Sequence, residues 1–201
     1  MRPVSSITSP GVPLLRDNID TDTIIPSREM KTTGRTGLAE GLFAPWRYTD
    51  AAARVRDPQF VLNQRDAIGT RLLLAGQNFG CGSSREHAVW ALAEFGIEAI
   101  IAPSFAPIFK GNCLRNGLLP IELPAEVVRG LAWQMVQIDL DAQTVSAGGK
   151  AWPFAIDPEA KQMLAEGLDA IDLTLKQKPA ILQWLAADRQ TRPWAYPENP
   201  T

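Results

Sequence analysis

The chain has 201 residues, 45% hydrophobic and 21% charged, with 20 Lys and Arg set against 22 Asp and Glu. A net charge of −2 excludes the global basic field that draws proteins to nucleic acid or anionic membranes. Two cysteines and one histidine exclude a disulfide framework, and are too few for a four-ligand zinc site or a self-sufficient iron–sulfur cluster.

No apolar run approaches the roughly 18 residues that span a bilayer, and the N-terminal stretch lacks the apolar core of a signal peptide. A cytoplasmic protein is the expectation. Residues 2–15 are broken by Pro, Gly and Ser and read as an opening strand with turns. Residues 18–26 read as a polar loop running into a short apolar segment stopped by Pro26. Residues 27–46 read as a mobile loop followed by a short helix near 38–43.

The middle of the chain carries the clearest pattern. Residues 71–75 form an apolar strand ended by Gly76, and Gly80 and Gly82 mark a tight turn after it. A helix starts at Ser83: Ala88, Leu92 and Phe95 recur at helical spacing, and Gly96 stops it. Residues 97–102, closed by Pro103, are the next strand. Strand, glycine turn, helix and strand make a βαβ unit with a parallel pair. A short helix at 104–112, a strand at 118–123 and a helix at 125–133 follow. Strand-like segments at 136–140, 144–147 and 152–156 lead to helices at 158–166 and 178–189. The proline-rich tail, residues 190–201, is expected to be extended or disordered. The order of elements predicts an α/β chain, a mixed sheet with flanking helices, in a single domain spanning 1–201.

The loop at Ser83 is where chemistry could reside. Glu86 stands three residues after it, the S-x-x-E pattern of a capping box, and that alone would make Ser83 a helix cap. The neighbours add a second reading. Gly80 and Gly82 let backbone N–H groups approach a ligand, a helix N-terminus favours an anion, and Arg85 supplies a planar cationic fork. A carboxylate or phosphate cradle is therefore also open. A dinucleotide fingerprint fails because Arg85 occupies the place of its third glycine, and the P-loop lysine is missing. His87 lies one turn from Ser83 on the same helix, which suits a helix-face residue better than a general base. Cys81 is a thiol near a helix N-terminus, whereas Cys113 reads as a packing residue.

The segment Asn78-Phe79-Gly80-Cys81-Gly82-Ser83-Ser84-Arg85-Glu86-His87-Ala88 resembles the swivelling domain of the aconitase superfamily. Ile101-Ala102-Pro103-Ser104-Phe105-Ala106 and Asn116-Gly117-Leu118-Leu119-Pro120 extend the resemblance. Asn18-Ile19-Asp20-Thr21-Asp22-Thr23-Ile24-Ile25-Pro26, Arg35-Thr36-Gly37 and Leu42-Phe43-Ala44-Pro45-Trp46-Arg47 narrow it to small subunits of bacterial 3-isopropylmalate dehydratases. So does Gly167-Leu168-Asp169-Ala170-Ile171-Asp172-Leu173-Thr174-Leu175. The resemblance implies an aconitase-type swivelling β/β/α domain that closes over a large subunit. That partner carries the 4Fe–4S cluster, so this chain holds no cofactor or metal of its own. The substrate implied is a small malate-type acid. Mapped by motif, Ser83 is the catalytic base, Arg85 and Arg35 grip carboxylates, Ser84 donates a hydrogen bond, Gly82 contributes backbone, and Asp22 lines the site and orients catalytic groups.

The resemblance also assigns a specificity loop, Arg28, Glu29, Met30, Lys31 and Thr32, that chooses the substrate's side group. Here the sequence departs from the family pattern. Glu29 stands where an aromatic is usual, Gly34 where a threonine is, Pro107 where an aspartate is, and Val89 where a proline is. A carboxylate in the pocket leaves open a paralogue acting on a methyl- or dimethylmalate. A non-catalytic anion-binding or assembly module is the remaining alternative.

Overall fold

The computed structural model describes residues 2–30 and 34–196. Among these, seven strands form one mixed sheet in the order β6-β5-β4-β1-β7-β8-β9, β2 (Tyr48–Asp50) and β3 (Val55–Arg56) form a separate antiparallel pair, and α1 (Thr21–Ile24) and α2 (Ala44–Arg47) are single helical turns. The parallel half is β4 (Leu72–Ala75), β5 (Ala99–Ala102) and β6 (Leu119–Glu122) beside β1 (Ser6–Leu14). The antiparallel half is β7 (Met135–Asp139), β8 (Thr144–Ala147) and β9 (Lys150–Pro153).

β1 is the seam between the halves. Its first part, Ser6 to Pro10, pairs antiparallel with β7, and its second part, Gly11 to Leu14, pairs parallel with β4. Proline donates no ladder hydrogen bond and belongs on sheet edges. Because β1 changes neighbours at Pro10–Gly11, each half of it uses mainly one flank, and Pro10 and Pro13 are tolerated in a central strand. That is why a segment that reads as interrupted forms a continuous strand.

Short strands buried on both faces, such as Leu72-Leu73-Leu74-Ala75, divide their side chains between two cores. Leu73 and Ala75 face one cluster with Val12, Ile100 and Phe79, while Leu72 and Leu74 face another with Ile101, Leu119 and Val136. The first cluster receives α3 (Glu86–Phe95) and α4 (Pro107–Arg115) through Ala88, Leu92, Phe109 and Cys113. The second receives α5 (Ala125–Gly130) and α6 (Pro158–Glu166) through Val128 and Leu164. The predicted βαβ unit is present as β4–α3–β5, with Leu72 opposite Ala99 in the parallel register. Among the described residues no helix is long and apolar enough to cross a membrane.

Several segments differ from the sequence reading. The polar loop before Pro26 contains a helical turn, Thr21–Ile24, whose N-cap Asp20 accepts a 2.6 Å hydrogen bond from the Thr23 N–H. The loop after Pro26 holds a 3-10 turn at Ser27–Glu29, the short helix expected near 38–43 is present as a 3-10 turn at Ala39–Gly41, and a further helical turn follows at Ala44–Arg47. Lys31 and Thr32 lie outside the described residues. An unpredicted helix at Ala170–Leu175 begins with a reciprocal capping box between Asp169 and Asp172. The last long helix runs from Lys178 to Thr191, and a 3-10 turn at Pro193–Ala195 replaces extended chain up to Tyr196, whose hydroxyl donates to Asp188 at 2.6 Å. Residues 197–201 of the expected tail lie outside the description.

Candidate active site

The loop between β4 and α3 is held from both sides. On one side Gly80 N–H donates to Ile19 O at 2.8 Å and Thr21 N–H to Cys81 O at 2.9 Å, with Asp20 and Cys81 forming a parallel bridge. On the other, Phe79 N–H donates to Ser104 O at 3.1 Å and Ala106 N–H to Phe79 O at 3.0 Å. Gly80 has φ +78°, and a Cβ there would sit 2.1 Å from Cγ of Phe109. Only glycine fits both the left-handed backbone and the close approach of the ring. Gly82 has φ +86° and passes the Asp20 side chain, which a Cβ would meet at 3.3 Å.

The expected capping box at Ser83 does not form. The N-cap of α3 is Arg85, with no side-chain cap, so the helix starts at Glu86 instead of at Ser83. Two long-range contacts explain the shift. The buried Thr21 hydroxyl donates to the Ser83 carbonyl at 2.8 Å, and the Asp20–Cys81 bridge keeps the chain extended just before it. Glu86 turns instead to Asn116, whose side-chain amide donates to its carboxylate at 2.7 Å. Ser83 is thereby released from capping and left exposed.

Ser83, Ser84 and Arg85 line a pocket of about 210 Å³ with Gly80, Cys81 and Gly82. Its far wall is Pro107, Ile108 and Phe109, the first turn of α4, with Asn112 below. The N-terminal ends of α3 and α4 therefore meet at one pocket, and both carry the partial positive charge that favours an anion. Pro107 sits in the first turn of α4, where its missing N–H costs nothing. A larger hollow of about 540 Å³ beside Trp46 and Phe60 shares no residue with this loop. Its cation, Arg16, is stacked 4.5 Å over the Trp46 ring.

Arg85 is half-buried and forms an ion pair with Asp22, which is more exposed. Asp22 thus holds one arm of the guanidinium, leaving the other donors of the fork for a second carboxylate. The site residues predicted in one pocket are brought together in part. Ser83, Ser84, Gly82 and Arg85 share the pocket, and Asp22 reaches it through Arg85. Arg35 does not line it. Its guanidinium lies 5.3 Å from the ring centroid of Trp90, about 6 Å beyond the first residue of α3 at the helical rise of 1.5 Å per residue.

Glu29 also lies elsewhere. Its side chain is buried, paired with Arg54 at 2.5 Å and Arg28 at 3.7 Å, beside a hollow lined by Arg28, Glu29, Ala51, Ala52 and Arg54. Gly41 passes so close that a Cβ there would sit 2.6 Å from that of Glu29. The half-buried Met30 packs against the core formed by α3 and its neighbours. The sequence reading missed Thr21 and Asn112. The first carried a signal, a hydroxyl between two aspartates, but its partner is 62 positions away. Cys113 is fully buried, and desolvation pushes its thiol well above the usual value. Among the described residues no group of three or more His, Cys, Asp or Glu side chains could hold a metal ion.

Comparison with known proteins decides the lineage. The family described as the aconitase C-terminal domain matches residues 3–126. A 3-isopropylmalate dehydratase small subunit from Cupriavidus necator is 54% identical, over 98% of this chain and 99% of that one. The chain belongs to the 3-isopropylmalate dehydratase small-subunit family. A further member, the small subunit from Rhodospirillum centenum, is 46% identical over 97% of this chain and 99% of its own. The crystal structure of 3-isopropylmalate dehydratase from Methanocaldococcus jannaschii superposes with a TM-score of 0.67 at 29% identity, covering 89% of this chain and 98% of that one. For this small-subunit family member, the mixed sheet with flanking helices is the aconitase-type α/β domain anticipated from the motifs.

Proposed function

We propose that this chain is the proton-transferring half of a two-subunit cytoplasmic hydro-lyase that interconverts 2-isopropylmalate and 3-isopropylmalate through isopropylmaleate, in leucine biosynthesis. It acts as one swivelling unit over residues 1–201, against a large subunit. The observation that carries the reading is the exposed Ser83 hydroxyl, freed from capping, in a pocket where two helix N-termini and the Asp22-held Arg85 converge. A dicarboxylate is the small molecule such a cradle suits. In the forward half-reaction the Ser83 oxygen, in its alkoxide form, takes a proton from the substrate's methylene carbon, while the hydroxyl on the neighbouring carbon leaves and takes up a proton from solvent to become water. In the return, Ser83 gives its proton to the other carbon, and a water adds as hydroxide where the first proton left, releasing its second proton to solvent. Arg85 and Arg35 each bind a carboxylate, Ser84 donates to the substrate, and the Gly82 backbone allows close approach.

A serine hydroxyl is a weak base in water, so its alkoxide character must come from fixed dipoles and charge around it. The helix ends and Arg85 supply them. The cysteines of this chain do not fit an iron–sulfur cluster, Cys113 being fully buried with its thiol protonated. The 4Fe–4S cluster expected on the large subunit would supply Lewis-acid activation of the leaving hydroxyl when bound. Glu29 bears on the choice of substrate. Turned inward to Arg54, its charge is neutralised away from Ser83, which favours the branched apolar side group over a smaller malate.

The test is reconstitution with the cognate large subunit under anaerobic conditions, following ultraviolet absorbance of the unsaturated acid with isopropylmalate and smaller malates. Turnover with isopropylmalate is expected. Ser83→Ala should abolish turnover while still binding the large subunit. Near-normal turnover in that variant removes serine from the mechanism, and preference for methylmalate transfers the reading to the paralogue.

A further inference from the structure

One carboxylate outside the pocket has an arrangement that its exposure does not require. Glu94, near the end of α3, accepts hydrogen bonds from three consecutive backbone N–H groups: Gly37 at 2.7 Å, Leu38 at 2.6 Å and Ala39 at 2.8 Å. These are the residues that follow Arg35 and Thr36. Burial by itself would raise the Glu94 carboxyl, and the N–H groups of Gly37, Ala39 and Leu38 outweigh it and hold it below the ordinary value.

The same helix meets Arg35 one turn earlier. Residues 86, 90 and 94 are four apart, so their side chains form one ridge on α3. Trp90 lies under the Arg35 guanidinium and is itself fixed, its indole N–H donating to Asn116 at 2.9 Å. Asn116 in turn donates to Glu86, at the start of the helix that follows Ser83 and Arg85. The ridge therefore links the root of the Arg35 segment to the end of α3 that adjoins the Ser83 loop.

We infer that Glu94 is a positioning residue for Arg35: its carboxylate clamps the Gly37–Ala39 backbone to α3 and thereby fixes how far the Arg35 guanidinium stands from Ser83. This rests on the reading of Arg35 as a carboxylate-binding residue. The clamp works through geometry alone, because a carboxylate accepts all three donors at once whereas an amide offers a single oxygen. A purely structural cap would affect folding and leave substrate affinity alone. A positioning clamp shifts substrate affinity through Arg35.

The experiment is a double-mutant cycle in the reconstituted enzyme, with Glu94→Ala, Arg35→Ala and the pair, reading KM and kcat for 2-isopropylmalate. Glu94→Ala is expected to raise KM about tenfold, with a smaller change in kcat. In the Arg35→Ala background the same change should add less than about twofold, since the residue being positioned is gone. Full multiplicative effects in the double variant overturn the inference, as does an unchanged KM in Glu94→Ala when Arg35→Ala raises it. A silent Arg35→Ala overturns it through its premise, and is distinguishable because Glu94 need not then be measured. Should Glu94→Ala fold poorly, Glu94→Gln serves in its place. The isolated small subunit gives a second readout: trypsin should cut after Arg35 faster in Glu94→Gln than in the parent, and equal cutting counts against the clamp.

Discussion

Replacing Gly80 by alanine tests whether the loop below Ser83 is set by one packing contact. The new Cβ would lie 2.1 Å from Cγ and 2.5 Å from Cδ1 of Phe109, whereas carbon atoms in contact prefer roughly 3.5–4.0 Å. Phe109 cannot simply swing away. It is buried, and its ring meets Phe79 edge-on at 5.4 Å between centroids. The left-handed backbone at φ +78° adds about 1–2 kcal/mol for any residue with a Cβ. Overpacking adds about 1–3 kcal/mol, for a total of about 2–5 kcal/mol. At about 2–4 °C per kcal/mol for a chain of this size, the melting temperature should fall by roughly 4 to 20 °C. Gly69→Ala is the control, because φ there is +75° but nothing lies within 4 Å of the new Cβ. It should lose only the backbone share, about 1–2 kcal/mol. Thermal unfolding of both variants by circular dichroism decides the matter. If Gly80→Ala melts with Gly69→Ala, the Phe109 contact does not constrain the loop and Gly80 is not required there by packing.

Thr21→Val removes the hydroxyl that holds the Ser83 carbonyl at 2.8 Å and should cost about 1 kcal/mol in denaturant unfolding, with kcat falling further than stability explains. An unchanged kcat would separate Thr21 from the site. Arg54→Met leaves the buried Glu29 carboxylate only its longer contact with the exposed Arg28, and destabilisation of about 3 kcal/mol is expected, whereas Glu29→Gln in the same background should recover part of it. Because the folded Glu94 carboxyl is held down, its contribution to stability is present above the ordinary value of 4.5 and lost as pH falls through the lower folded value. The gap in melting temperature between the parent and Glu94→Gln should therefore close in acid, and a gap that widens contradicts the assignment. Thiol titration should find Cys81 reactive in the folded chain and Cys113 reactive only in denaturant.

The parts of the fold that local pattern controls were legible. β4, α3 and β5 declare themselves by an apolar run, helical spacing and a glycine stop, and the structure places them within a few residues of the reading. What escaped depends on distant partners. The Ser83 capping box has the right letters, yet Thr21 and Asp20 capture the backbone before a helix can begin there. Glu29 reads as a pocket carboxylate until Arg54, 25 positions on, turns it inward. Glu94 is invisible to motif reading because its partners are backbone groups 55 to 57 positions away. The helix at Ala170–Leu175 was missed for a local reason: its capping box uses Asp172 where the usual pattern carries Glu or Gln.

The seam strand has a consequence for the growing polypeptide. β1 leaves the ribosome well before its parallel partner, since Gly11 must wait for Leu72, and longer before Met135–Asp139 completes its other flank. At about 5–20 residues per second the first wait lasts roughly 3 to 12 s. Throughout it, the strand that will lie at the middle of the sheet is a bare edge, the kind of surface that recruits neighbouring chains. Pro10 and Pro13 remove two of its donors. The prolines that interrupt the strand pattern of β1 stand where gatekeepers of a nascent edge would, and replacing them with better strand formers would trade that protection for a more regular ladder.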